Sequence, residues 1–78
     1  MVNKTVIEKA AGEVISWQTS HNLKVYSWDE ACEAVQDWYN YTDITSPYLL
    51  SACVLGFGAK YKPVSHSDIL DAARSFEN

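Results

Sequence analysis

Ser27-Trp28-Asp29-Glu30-Ala31-Cys32-Glu33-Ala34-Val35-Gln36-Asp37-Trp38 is the stretch on which the fold turns. Ser27 and Glu30 have the spacing of a capping box, in which each side chain satisfies a backbone amide at the start of a helix. Tyr26 and Ala31 stand at the hydrophobic-staple positions on either side of that start. Asp29 and Glu30 complement the positive end of the helix dipole. Beyond it Ala31, Ala34, Val35, Trp38 and Tyr41 recur at helical spacing and form one apolar stripe, while Glu33, Asp37 and Asn40 face water. The stretch is an amphipathic helix that needs partners for its stripe.

Those partners lie on both sides. Upstream, a helix is expected from Lys4 to Ser20, with Ile7, Ala10, Ala11, Val14 and either Trp17 or Gln18 on its inner face. Asn3 or Thr5 is its expected cap, Thr5 having capping-box spacing to Glu8. Gly12 inside it costs about 1 kcal/mol relative to alanine. Downstream, Ser46 caps a third helix and Pro47 takes its first position, where a missing N–H does no harm. Tyr48-Leu49-Leu50-Ser51-Ala52-Cys53-Val54-Leu55 is apolar nearly all round, which marks a helix enclosed by its neighbours. Gly56 and Gly58 are the expected stop. A fourth helix starts after Ser65, with Asp68 as its capping partner and Val64 with Ile69 as its staple. It carries Ile69, Leu70, Ala72, Ala73 and Phe76.

Two short connectors remain, Asn22 to Tyr26 and Lys60 to Val64. Pro63 pushes Lys62 away from helical geometry. Setting Leu23–Trp38 over Tyr61–Phe76, an offset of 38, matches Lys24 to Lys62, Ser27 to Ser65, Glu30 to Asp68, Glu33 to Asp71, Ala34 to Ala72 and Trp38 to Phe76. Any two capped amphipathic helices look alike in this way, so the repeat is faint. The expected fold is all-α: one small helical domain over residues 1–78, a compact four-helix arrangement of two helix–connector–helix units. A minimal two-stranded pairing of the connectors is compatible with it.

Seventy-eight residues bury only a thin core, although hydrophobic residues at 47% and aromatics at 13% are too abundant for a disordered chain. Six basic against ten acidic residues give a formal charge of −4, which favours basic partners and opposes phosphate binding. Met1 to Ala10 is polar, and Ile44 to Ala59, the longest uncharged stretch, is too short to cross a bilayer. With two cysteines and no leader pattern, the expected setting is cytoplasmic, with free thiols and no membrane partner. In that setting the match of Asn3-Lys4-Thr5 and Asn40-Tyr41-Thr42 to the glycosylation triplet means little.

Catalytic chemistry finds no footing. Cys32, Cys53, His21 and His66 lack the close spacing of a zinc site, and cysteines on apolar faces are core residues. Asp29, Glu30, Glu33 and Asp37 sit at a helix start and on a solvent face, as do Asp68 and Asp71. They do not flank a cleft as a pair of hydrolytic carboxylates would. Gly56-Phe57-Gly58 lacks the Lys-Ser/Thr of a phosphate loop. No catalytic, cofactor or metal site is expected. A helix-turn-helix is compatible with the second and third helices in length. Its recognition helix would nevertheless present Pro47, Tyr48, Leu49, Leu50 and Ser51 where base-reading side chains belong. Lys24, Lys60 and Lys62 are a thin phosphate contact, and helix four adds only Arg74.

Ten aromatic residues are too many for a thin core to hide. Trp17, Trp38 and Phe76 belong on the inner stripes. Tyr26, Trp28, Tyr39 and Tyr61, with Lys24 and Lys62 beside them, are the candidate partner-binding residues, because partly exposed Trp and Tyr dominate binding hot spots. The sequence therefore points to a non-enzymatic protein-interaction module, a small acidic adaptor or inhibitor that docks on another protein or on a second copy of itself. Size alone adds the inhibitors carried by phages and mobile elements to that expectation. The alternative expectation is a small, dimeric helix-turn-helix regulator of transcription that binds DNA.

Overall fold

In a computed structural model that describes residues 4–57 and 65–77, the chain forms four α-helices. They are α1 (Lys4–Ser20), α2 (Trp28–Thr42), α3 (Pro47–Phe57) and α4 (His66–Glu77). Serine side chains start three of them. Ser27 Oγ accepts the Glu30 N–H at 3.1 Å while Glu30 Oε1 accepts the Ser27 N–H at 3.3 Å, completing the reciprocal box that the spacing predicts. Ser46 Oγ accepts the Leu49 N–H at 3.3 Å, and Ser65 Oγ accepts that of Asp68 at 3.2 Å. At α1 the expected Thr5 cap is displaced: the helix already begins at Lys4, so Thr5 lies within its first turn. Asn3 falls outside the described residues, as does Val64.

Left-handed residues close two of the helices. Asn22, at φ 58°, lets the Leu23 N–H reach the Gln18 carbonyl at 2.9 Å and its own N–H reach that of Thr19 at 3.3 Å. This is the Schellman pairing, with asparagine in the place glycine usually takes. Asp43, at φ 57°, ends α2 by donating to the Tyr39 carbonyl at 2.8 Å. The Thr42 hydroxyl adds a bond to the Trp38 carbonyl at 2.7 Å. Gly56 does not stop α3, which continues through it to Phe57. An apolar helix wrapped by neighbours gains more from packing than one glycine costs. Gly58 is not among the described residues.

The inner faces follow the sequence periodicity. Ile7, Ala10, Ala11 and Val14 of α1 are buried with Ala31, Ala34, Val35 and Trp38 of α2 and Leu50, Cys53 and Val54 of α3, and Ile69 of α4 joins them. The alternative at the end of the α1 stripe resolves in favour of Gln18, which is buried, whereas Trp17 is half-buried. Tyr41 is half-buried, and Leu70 is exposed. Alanines at four of the buried positions keep side chains short where α1 and α2 meet, leaving Trp38 as the largest buried group. Its ring meets Tyr41 edge-on at 5.9 Å and Phe57 at 5.6 Å, so it joins the end of α2 to the end of α3.

α3 is the central element. It packs on α1, α2 and α4, and buries five consecutive residues from Leu50 to Val54. That enclosure is the reason its apolar residues run all round instead of along a stripe. α1 packs as broadly on α3 as on α2, while α4 rests on α3 alone among the described residues. Packing within the pairs α1–α2 and α3–α4 is thus accompanied by packing between them, through α3. No strand occurs among the described residues, and the second connector lies outside them. A radius of gyration of 11.2 Å marks a compact globule, against roughly 11.5 Å from the scaling for a folded chain of this length.

A candidate partner-binding face

The α1–α2 connector is held by one residue. Gln18 is buried, yet its Oε1 accepts the Tyr26 N–H at 3.0 Å, while its carbonyl accepts the Leu23 N–H. Both ends of the connector are thus tied to the same residue on α1. The capping box then fixes the Ser27 N–H immediately afterwards. A buried amide that satisfies a backbone donor repays its own desolvation, and it defines where the chain runs.

Three exposed apolar side chains sit on this tethered segment within six residues. Leu23 is 50%, Val25 44% and Trp28 48% exposed. Tyr26 differs: it is partly buried and packs against the core, as its staple position requires. Lys24 is exposed between them. Tyr39 lies three turns beyond Trp28 on the same row of α2, about 16 Å along the axis. It is also partly buried against the core. Of the residues singled out in the sequence, Trp28 and Lys24 therefore share the exposed segment, and Tyr26 and Tyr39 show only part of their rings. Tyr61 and Lys62 lie outside the described residues.

Leu23 and Val25 were not anticipated as site residues. The signal was present in Leu23-Lys24-Val25-Tyr26, where apolar residues two apart occupy a connector. A helix-based reading treats such residues as linker. Beside the segment, the His21 ring stacks on Trp17 at a centroid distance of 3.7 Å and a 13° interplanar angle. Its Nδ1 lies 3.0 Å from the Trp17 carbonyl. Trp17 thus spends a face on its own helix end, where the sequence reading put it on the inner stripe. Phe76 falls outside the described side chains.

The thiols are chemically quiet. Both are free. Burial pushes Cys53 from the ordinary 9.0 to about 11. Cys32 is raised too, first by burial and then by the carboxylates of Asp29 and Glu8. Both therefore stay protonated at neutral pH, and it is the thiolate that attacks. Iodoacetamide at pH 7.5 is expected to modify Cys32 slowly and Cys53 only after urea unfolding, as mass spectrometry will show. The raised Cys53 value has a stability consequence. Below pH 9.0 both folded and unfolded thiols are protonated, and the full stabilisation is present. As pH rises from there through about 11 the unfolded thiol ionises first, so stability falls. By linkage the loss is of order 2 kcal/mol. Cys53→Ala should flatten the fall in urea midpoint between pH 8 and 11; an unchanged slope assigns it to other groups.

Among the described residues, no three His, Cys, Asp or Glu side chains group closely enough to hold a metal ion. No described helix is long and apolar enough to cross a membrane. Comparison with protein-family models, curated proteins and solved structures returns no match, so the functional reading rests on the chain's own residues.

Proposed function

We propose that this chain is a non-enzymatic protein-interaction module, an acidic adaptor or inhibitor that docks on a partner protein and occludes part of its surface. One observation carries the reading: Leu23, Val25 and Trp28 are exposed on a segment that is hydrogen-bonded at both ends. A face already held in place loses little freedom on docking, so more of its contact energy appears as affinity. Tyr26 and Tyr39 contribute their accessible edges. Tyr61, Lys24 and Lys62 complete the proposed set, and the carboxylates of Asp29 and Glu30 steer the face towards basic surfaces. A cytoplasmic setting belongs to the same proposal, supported by the two free thiols. So does the two-unit architecture, supported by the packing of α1 on α2 and of α3 on α4.

The DNA-binding reading is the weaker one. Its recognition helix would be α3, whose central five residues are buried and which packs on all three other helices. A helix whose middle is buried leaves few side chains to stand clear in a major groove, as base reading requires.

The test is affinity capture from the native host with wild-type chain and with Trp28→Ala. Trp28 is exposed, so the substitution should change stability by no more than about 0.5 kcal/mol. Capture of a defined partner by the wild type and its loss in Trp28→Ala, with an unchanged circular-dichroism melt, is the expected result. Full capture by the variant would show that docking uses another face. Salt-sensitive binding to duplex DNA that disappears on replacing Lys24, Lys60 and Lys62 would favour the regulator instead.

A further inference from the structure

Lys24-Val25-Tyr26-Ser27-Trp28-Asp29 reads the same from either end with its charge reversed: a cation, an apolar side chain, two central residues, an apolar side chain and a carboxylate. Both apolar side chains are exposed, Val25 at 44% and Trp28 at 48%, and Lys24 and Asp29 are exposed beside them. Leu23 adds a third exposed apolar group at the Lys24 end. The two charges are close in sequence, yet neither makes an ion pair among the described residues. Backbone groups are open here as well. The N–H groups of Lys24 and Val25 have no acceptor among the described residues, whereas those of Leu23, Tyr26 and Ser27 are taken by Gln18 and Glu30. A non-helical segment with open donors between tied ends can bond a second chain laid along it.

We propose that a second copy of this chain covers the face while no partner is bound, the two segments meeting antiparallel about a two-fold axis between Tyr26 and Ser27. The proposal rests on the docking reading for the choice of face. In a two-fold interface one patch meets itself, so each contact is made twice. This axis brings Lys24 of each copy to Asp29 of the other, and Val25 to Trp28. The reversed order of charge is what selects a second copy as the occupant. A patch of one sign repels its own image, whereas a cation and a carboxylate on either side of the axis attract theirs. The chain as a whole carries −4, so two copies repel at long range, and a patch that holds its own counter-charge is where they can close. Three half-exposed side chains per copy cover far less than the about 800 Å² per partner of a standard interface. The pairing is therefore reversible. It hides Leu23, Val25 and Trp28 from water and gives way to a partner that binds more tightly.

Sedimentation velocity of the full chain from about 10 µM to about 1 mM is expected to show a monomer–dimer equilibrium. Amide shifts of the ¹⁵N-labelled chain over the same dilution should move at residues 23–29 and stay constant elsewhere. Lys24→Glu and Asp29→Lys should each weaken the dimer at least about fivefold, because two attractions become two repulsions. Mixed in equal amounts, these two variants should pair with each other more tightly than either pairs with itself. The doubly substituted chain should recover wild-type dimerisation, a result that a structural role for either residue would not produce. Trp28→Ala should weaken the dimer at least about tenfold. All four side-chain changes lie at exposed positions, so each variant should remain folded by circular dichroism. A wild type that stays monomeric throughout, shifts centred on another face, or charge variants that dimerise like the wild type or fail to recover when combined would each overturn the proposal. It also fails separately from the docking reading. A monomeric wild type whose captured partner is lost in Trp28→Ala removes the second copy and leaves the partner; a dimer that captures no other protein does the reverse.

Discussion

Trp38→Ala is expected to remove about 3–5 kcal/mol of stability, the usual cost of deleting a fully buried large aromatic. Trp38 has no solvent exposure and is the largest buried side chain, so the substitution opens a cavity at the middle of the core. The surroundings have little means of closing it. Ala31 and Ala34 on its own helix and Ala10 and Ala11 on α1 are already short and already buried. The ring also makes the contacts that join α2 to Phe57 of α3 and to Tyr41. Folded domains of this length hold roughly 4–12 kcal/mol in total, so the loss takes a large share of the whole. Urea unfolding followed by far-ultraviolet circular dichroism should show a collapsed midpoint or no folded baseline. Trp38→Phe, which retains most of the volume, should restore a cooperative transition. If Trp38→Ala loses less than about 1 kcal/mol, the core is not centred on this ring.

Trp38 was legible in the sequence because helical periodicity reports burial directly: one stripe, one face, one side chain at its centre. The starts of α2, α3 and α4 were legible for a similar reason. A serine cap acts within four residues, and nothing distant competes with it. Where the outcome depended on neighbours, local signals gave way. Gly56 reads as a stop, but α3 is packed on three sides and runs through it. Asn22 reads as part of a connector because asparagine tolerates the left-handed region without requiring it, and only the Gln18 and Thr19 carbonyls reveal the cap. The exposed pair Leu23 and Val25 is not legible because apolar residues outside a periodic segment carry no instruction about which way they face.

Gln18→Leu is expected to lower stability by about 1–3 kcal/mol, although leucine matches glutamine in size and suits a buried position better. The reason is the donor left behind. Tyr26 is partly buried, and its N–H has the Gln18 Oε1 as acceptor at 3.0 Å. Leucine leaves that donor either unsatisfied, at the cost of a desolvated amide, or released to water by moving the connector. The helix end supplies an internal control. The Leu23 N–H bonds the backbone carbonyl of residue 18, which the substitution does not alter. Amide exchange should therefore accelerate at Tyr26 by roughly 10- to 100-fold beyond any global change, with Leu23 remaining at the level set by global stability. Unchanged exchange at Tyr26 would show that the side-chain bond does not hold the connector. The connector carries Leu23 and Val25 and leads directly into Trp28, so its release also loosens the proposed docking face. Binding should then weaken without the loss of any contacting side chain, because the partner must order a segment that the wild-type chain delivers already ordered.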